Sequence, residues 1–265
     1  MCLPLRLLMM ILLLGMTHAA AQPDPPSDSD DVPTGYTLTF WDEFDEQGLN
    51  REQWEYRYTG EYLEGINAEE SVTQPGDGFL YLTTRERESD GAILTSMIRS
   101  RRGINFQYGY FEARIRFETW QGHHGAFWLK SNNYLQAEHD PENAGAEIDI
   151  AEYFGSDRDD EFQHNIYWNP LTGADDHPQF RWSYERERGA ELSDEFHTFA
   201  LLWTPDEYIF YVDGEETWRT SEGVSHAESY LLLSLITSFD IERLNTERLP
   251  DTMMVDYVRV YAPPS

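Results

Sequence analysis

Glu207-Tyr-Ile-Phe-Tyr-Val-Asp-Gly-Glu-Glu-Thr-Trp-Arg-Thr220 reads as two short strands joined at Asp213-Gly214. Tyr208 to Val212 are all aromatic or β-branched, the types that fit a pleated, half-buried surface. Asp-Gly between such runs predicts a two-residue hairpin, because that turn demands positive φ and Gly adopts it at no steric cost. The same signature recurs on both sides, at Thr37–Trp41, Phe79–Thr84, Tyr110–Phe117, Phe196–Trp203, Tyr230–Ile236 and Met253–Tyr261. No segment keeps an amphipathic helical period over three turns. Many short strands separated by turns predict an all-β chain, built as a sandwich or a barrel.

The composition narrows the function. Of the 265 residues, 19 are Lys or Arg and 49 are Asp or Glu, a formal net charge of −30. Such a surface is repelled by phosphate backbones and acidic headgroups, which excludes nucleic acid and membrane surfaces as partners. Aromatics at 14% supply ample core, so the charge does not signal disorder. Lys130 is the only lysine. An acid-rich, lysine-poor surface fits solubility in strong salt, where charges are screened over a few Å, and fits equally a genome that favours Arg codons.

At the start, Arg6, the apolar run Leu7–Met16 and Ala19-Ala-Ala21 have the layout of a secretory signal peptide over residues 1–21. The run is about half of the roughly 20 residues that a spanning helix needs. The expected location is therefore secreted or periplasmic, with no membrane association after cleavage. Cys2, the single cysteine, goes with the leader and precedes the apolar run, so neither a lipid anchor, a disulfide nor a thiolate is expected. Residues 22–35 are rich in Pro, Ser and Asp and predict an extended, solvated, acidic linker. Residues 36–262 contain no repeat and no second linker, so they are taken as one catalytic domain, expected to be a monomer.

Gly145-Ala-Glu-Ile-Asp-Ile-Ala-Glu-Tyr153 carries the chemistry. Apolar spacers mark a strand, on which Glu147 and Asp149 share a face while Glu152 falls on the other. A one-residue β-bulge near Ile150-Ala151 brings all three acids to one side. Unpaired burial would cost several kcal/mol each, so they must line a polar cleft or find partners. Paired carboxylates suit glycoside hydrolysis, in which one attacks the anomeric carbon and another protonates the leaving oxygen and then activates water. Asp149, in the middle, is placed to share a proton with the attacking carboxylate.

With this run and its neighbours, the chain resembles glycoside hydrolase family 16, whose members carry E-[IL]-D-x-x-E on a jelly-roll strand. Trp41-Asp-Glu-Phe44, Tyr108–Arg114, Gly125-Ala-Phe-Trp-Leu129, Phe196–Pro205, Phe210–Gly214 and Val255–Tyr261 are similar to the flanking family strands in order. The resemblance implies a β-jelly-roll sandwich of two antiparallel sheets with a concave substrate cleft. It implies Glu147 as nucleophile, Asp149 as assisting residue and Glu152 as acid/base, with retained anomeric configuration and internal cleavage of β-linkages in a polysaccharide. The bulged motif looks like laminarinases, agarases and carrageenases. With net charge −30 a neutral β-1,3-glucan is the simpler substrate. A galactan of agar or carrageenan type, a transglycosylase and a non-hydrolytic carbohydrate-binding jelly-roll are the alternatives. No cofactor is expected for catalysis.

Around the acids, Trp128 and Trp120 offer flat apolar faces for a sugar ring. The pair His123-His124 between them lacks a third ligand at metal-binding spacing and predicts loop residues at the cleft rim, with His124 touching substrate. His124 stands where laminarinase-like members often have Trp, a departure that weakens the glucan assignment. His164, on the following strand, matches a position that the family often uses to line the cleft, which predicts a hydrogen bond to a catalytic carboxylate or to the sugar. Many members also hold a structural calcium, and the matching positions are the Asp256 side chain with the backbone oxygens of Glu43 and Gly78.

Overall fold

The computed structural model describes residues 25–27, 29, 31–134, 141–154, 162–168, 179–183, 192–237 and 241–264. The leader read over residues 1–21, with Cys2, lies outside them. In chain order the strands are β1 (Thr37–Asp42), β2 (Trp54–Tyr56), β3 (Gly60–Tyr62), β4 (Gly65–Asn67), β5 (Val72–Thr73), β6 (Leu80–Glu86), β7 (Ile93–Ser100) and β8 (Gly109–Arg116). They continue with β9 (His123–Ser131), β10 (Glu147–Tyr153), β11 (Gln163–Trp168), β12 (Gln179–Ser183), β13 (His197–Trp203), β14 (Tyr208–Val212), β15 (Glu215–Thr220), β16 (Ser229–Thr237) and β17 (Asp251–Ala262). The turn expected at Asp213-Gly214 joins β14 to β15 with φ of 48° and 75°, the two positive values such a hairpin requires.

The strands form two antiparallel layers. The front layer runs β12-β11-β10-β9-β16-β7-β2, and the back layer runs β15-β14-β13-β8-β17, with β6 and β1 sharing the far edge of β17. One short parallel pairing, β4 on β7, departs from the antiparallel rule. Between the layers, Phe127, Leu129, Ile148 and Leu233 from the front meet Phe111, Ile115, Phe199 and Leu201 from the back. Each fully buried side chain of this size contributes about 1.5–3 kcal/mol. The sandwich expected from the strand pattern is thus the observed fold.

Two further apolar clusters lie outside that core. Tyr110, Ala200 and Tyr261 cover the outer face of the back layer, where Val32, Tyr36 and Leu38 pack on them. The buried Glu112 carboxylate there accepts from the hydroxyls of Tyr257 (2.9 Å), Ser29 (3.2 Å) and Tyr110 (3.3 Å). The later part of segment 22–35 is therefore docked on the sheet instead of extended in solvent, because Glu112 needs donors and Tyr110 needs cover. On the outer face of the front layer, Met97, Ala126, Trp128, Tyr230, Leu232 and Ile236 form the third cluster. A sheet face left to water alternates toward polar residues. An apolar floor of this kind marks a face built to bind.

Candidate active site

The cleft begins where β10 breaks its alternation. Against β9, Asp149 stands opposite Trp128 and Ala151 opposite Phe127, so Ile150 is the extra residue of a β-bulge. Against β11 the same slip separates Asp149, opposite Asn165, from Glu152, opposite Gln163. Ile148, Ile150, Ala151 and Tyr153 point into the core. Glu147, Asp149 and Glu152 line one cavity of about 360 Å³. The bulge expected from the spacing is present at the expected place.

Each acid has a different environment. Glu147 accepts from Lys130 Nζ at 2.5 Å, and Lys130 stands directly opposite it on β9. Burial works against the Lys130 charge, but Glu147 more than offsets it and holds the ammonium above its usual pKa. Asp149 is almost fully buried. That desolvation, followed by the charges of Glu152 and Glu147, drives its pKa well above the usual carboxylate range. Burial thus favours its protonated form, and it hydrogen-bonds Glu152. The sequence predicted sharing with Glu147; the hydrogen bond present is to Glu152, while Glu147 acts on Asp149 through its charge. Glu152 also accepts from Asn165 Nδ2 and lies 2.6 Å from His124 Nε2.

Trp128 lines the cavity as expected, its Nε1 donating to Ser234 Oγ at 3.2 Å. His124 lines it too, stacked on Phe154 at 4.3 Å, but on strand β9 and not on a loop. Its neighbour His123 points the opposite way and is buried, with Nδ1 2.8 Å from the Trp120 carbonyl oxygen. Trp120 is not among the residues lining the cavity; its ring is exposed beneath the Arg248 guanidinium at 3.9 Å.

His164 does not reach the cleft. It is fully buried on the core side of β11, Nδ1 donating to the Ile150 carbonyl at 2.6 Å and Nε2 2.8 Å from Thr217 Oγ1. Burial pushes its pKa down to about 3, so it is neutral. The bulge explains the difference. Asn165 and Tyr167, opposite Asp149 and Glu147, share the acids' face, and His164 has the other phase.

At the positions expected to hold calcium, the Asp256 side chain is paired with Arg114 at 2.5 Å. The Glu43 side chain is forked to Arg259 at 2.7 and 2.9 Å, an arrangement separate from its backbone oxygen. Gly78 lies beside the Asp45 carboxylate, whose Oδ1 would be 3.6 Å from a Cβ placed there. Among the described residues, no group of three or more His, Cys, Asp or Glu side chains is arranged to hold a metal.

The cavity also contains residues that the sequence did not single out. Lys130, Tyr62, Tyr134 and Tyr167 all line it. Lys130 and Trp128 have the same parity on β9, so the recognised tryptophan already pointed to the lysine. Tyr62 lies on β3, too short a strand to announce itself by period.

Comparison with known proteins agrees with this geometry. The model of the glycosyl hydrolases family 16 matches residues 60–230. A β-glucanase of Rhodothermus marinus is 28% identical over 261 residues, spanning 89% of this chain and 88% of its own. The crystal structure of SCLam, a non-specific endo-β-1,3(4)-glucanase, superposes with a TM-score of 0.73 at 24% identity, covering 87% of this chain and 92% of that one. An endo-β-1,3-glucanase from Pyrococcus furiosus gives 0.71 at 23% identity, over 86% and 94%. At these identities the two structures speak for the fold alone.

Proposed function

The chain belongs to glycosyl hydrolase family 16 and is an O-glycosyl hydrolase, and on that premise we propose a secreted, endo-acting, retaining hydrolase of a β-1,3-glucan. The observation that carries the reading is the convergence of Glu147, Asp149 and Glu152 on one cavity with an apolar floor. Glu147, held by Lys130, attacks C1 of the sugar. Glu152 protonates the leaving oxygen and then takes the proton of the incoming water. Asp149 is one hydrogen bond away from Glu152 and supports it in place. Trp128 gives a pyranose an apolar face to rest on.

The net charge of −30 favours a neutral polymer over a sulfated one. The named activity of the Rhodothermus marinus relative supports a glucan. The apolar run before Ala19-Ala-Ala21 supports export. The test is a panel of laminarin, mixed-linkage glucan, agarose and κ-carrageenan, offered to the wild type and to Glu147→Ala. Laminarin cleavage by the wild type alone, with a first product of β configuration by NMR, is the expected result. An α product rejects retention, cleavage confined to a galactan rejects the glucan, and full turnover by Glu147→Ala rejects the site.

A further inference from the structure

In a chain with 49 acids and a single lysine, that lysine lies at the candidate nucleophile. Lys130 and Glu147 are a directly opposed cross-strand pair, and their side chains are only 17% and 20% exposed. A partly buried pair is screened far less than a surface one, so it acts strongly on whichever partner does chemistry. The ammonium is held from behind as well, 4.4 Å from the Tyr134 ring and 5.6 Å from that of Trp128. It therefore has little freedom to leave.

The surroundings make this ion pair the dominant charge contact of Glu147. Tyr62 from β3, Tyr134 after β9 and Tyr167 from β11 are kept neutral by burial, which raises all three phenols. Burial favours the protonated form of Asp149, the next acid along β10. Tyr230 on β16 faces Lys130 in register, and Tyr58 and Arg57 lie beyond Tyr62. At the other end of the row, Glu152 turns to His124 and Asn165. Nothing else on these elements supplies a positive charge at contact distance from Glu147 among the described residues.

We propose that Lys130 is a positioning residue for the reaction, holding the Glu147 carboxylate in place and aimed along the cleft. The proposal rests on Glu147 being the nucleophile. Its test is kcat and KM on laminarin for Lys130→Met, Lys130→Gln and Lys130→Arg beside the wild type, each checked by its melting curve. Met and Gln remove the charge, Gln keeps a donor, and Arg keeps the charge. The kcat is expected to fall about tenfold in Met and Gln with a smaller change in KM, and to return in Arg. An unchanged kcat in Met, or wild-type kinetics in Gln, overturns the proposal. Should Met fail to fold, the Gln and Arg comparison decides alone. Turnover by Glu147→Ala would reject the nucleophile assignment itself, an outcome separate from any result on Lys130.

Discussion

Acidification should weaken this fold through His164, and the size of the effect follows from where the structure puts that ring. His164 is fully buried and neutral, its pKa pushed from the usual 6.5 down to about 3 by desolvation. In the unfolded chain it takes up a proton as the pH falls through 6.5, whereas the folded protein takes one up only near 3. The stability tied to the neutral ring is thus complete above pH 6.5 and lost progressively between 6.5 and 3. At pH 4, about 2.5 pH units below the unfolded pKa, the unfolded form gains about 3 kcal/mol at 1.36 kcal/mol per unit. The buried Asp149 and Glu118 have raised pKa values and work in the opposite direction, so the wild type alone is not informative. The informative quantity is a difference. His164→Gln keeps a donor for the Ile150 carbonyl and cannot titrate. Urea unfolding of both proteins at pH 8 and pH 4 should show the wild type losing about 3 kcal/mol more than the variant, or roughly 6–12 °C in parallel thermal melts. If both proteins fall in parallel, the ring is not held neutral and its place behind the bulge is wrong.

Three other outcomes can be checked with single variants or additions. Gly125→Ala should destabilise the fold by about 1–3 kcal/mol in denaturant titration, because its Cβ would lie 2.3 Å from Glu118 Oε2 and 2.9 Å from Phe117, in a fully packed site. Asn165→Ala, which removes a donor from Glu152, should lower kcat on laminarin about 10- to 100-fold with a smaller change in KM. EDTA should leave the melting temperature unchanged, since the Asp256 side chain is already paired with Arg114; a drop reversed by calcium would refute that pairing.

Period and turn chemistry made most of the back layer legible, because each strand there has one face in the core and one facing out. Asp213-Gly214 specified its hairpin, and Tyr208–Val212 required no tertiary information to read as a strand. The short pieces were illegible for a physical reason. β3 and β4 have three residues each, with Gly at the start of both, and are defined by pairing with each other and with β7 and not by their own composition. The docked Ser29 and Val32 were hidden in the same way: Pro, Ser and Asp describe a linker until a buried Glu112 and a bare tyrosine face give them partners.

The site shows how far one bulge reaches. Spacing alone required an extra residue near Ile150-Ala151 to unite the three acids, and the structure has it at Ile150. The consequence for the next strand was available by the same logic. An extra residue leaves a backbone carbonyl out of the regular ladder, and a buried carbonyl must find a donor. The Ile150 carbonyl finds it in His164, from the core side. A histidine committed to that carbonyl cannot also face the sugar, since neighbours along a strand point to opposite faces. The cleft therefore receives Asn165 and Tyr167, and Glu152 receives its amide donor from the residue next to the one that secures the bend. His164 thus belongs to the active site through the backbone alone: it holds the bulge that turns Glu152 toward Glu147, and contributes no atom to the cavity they share.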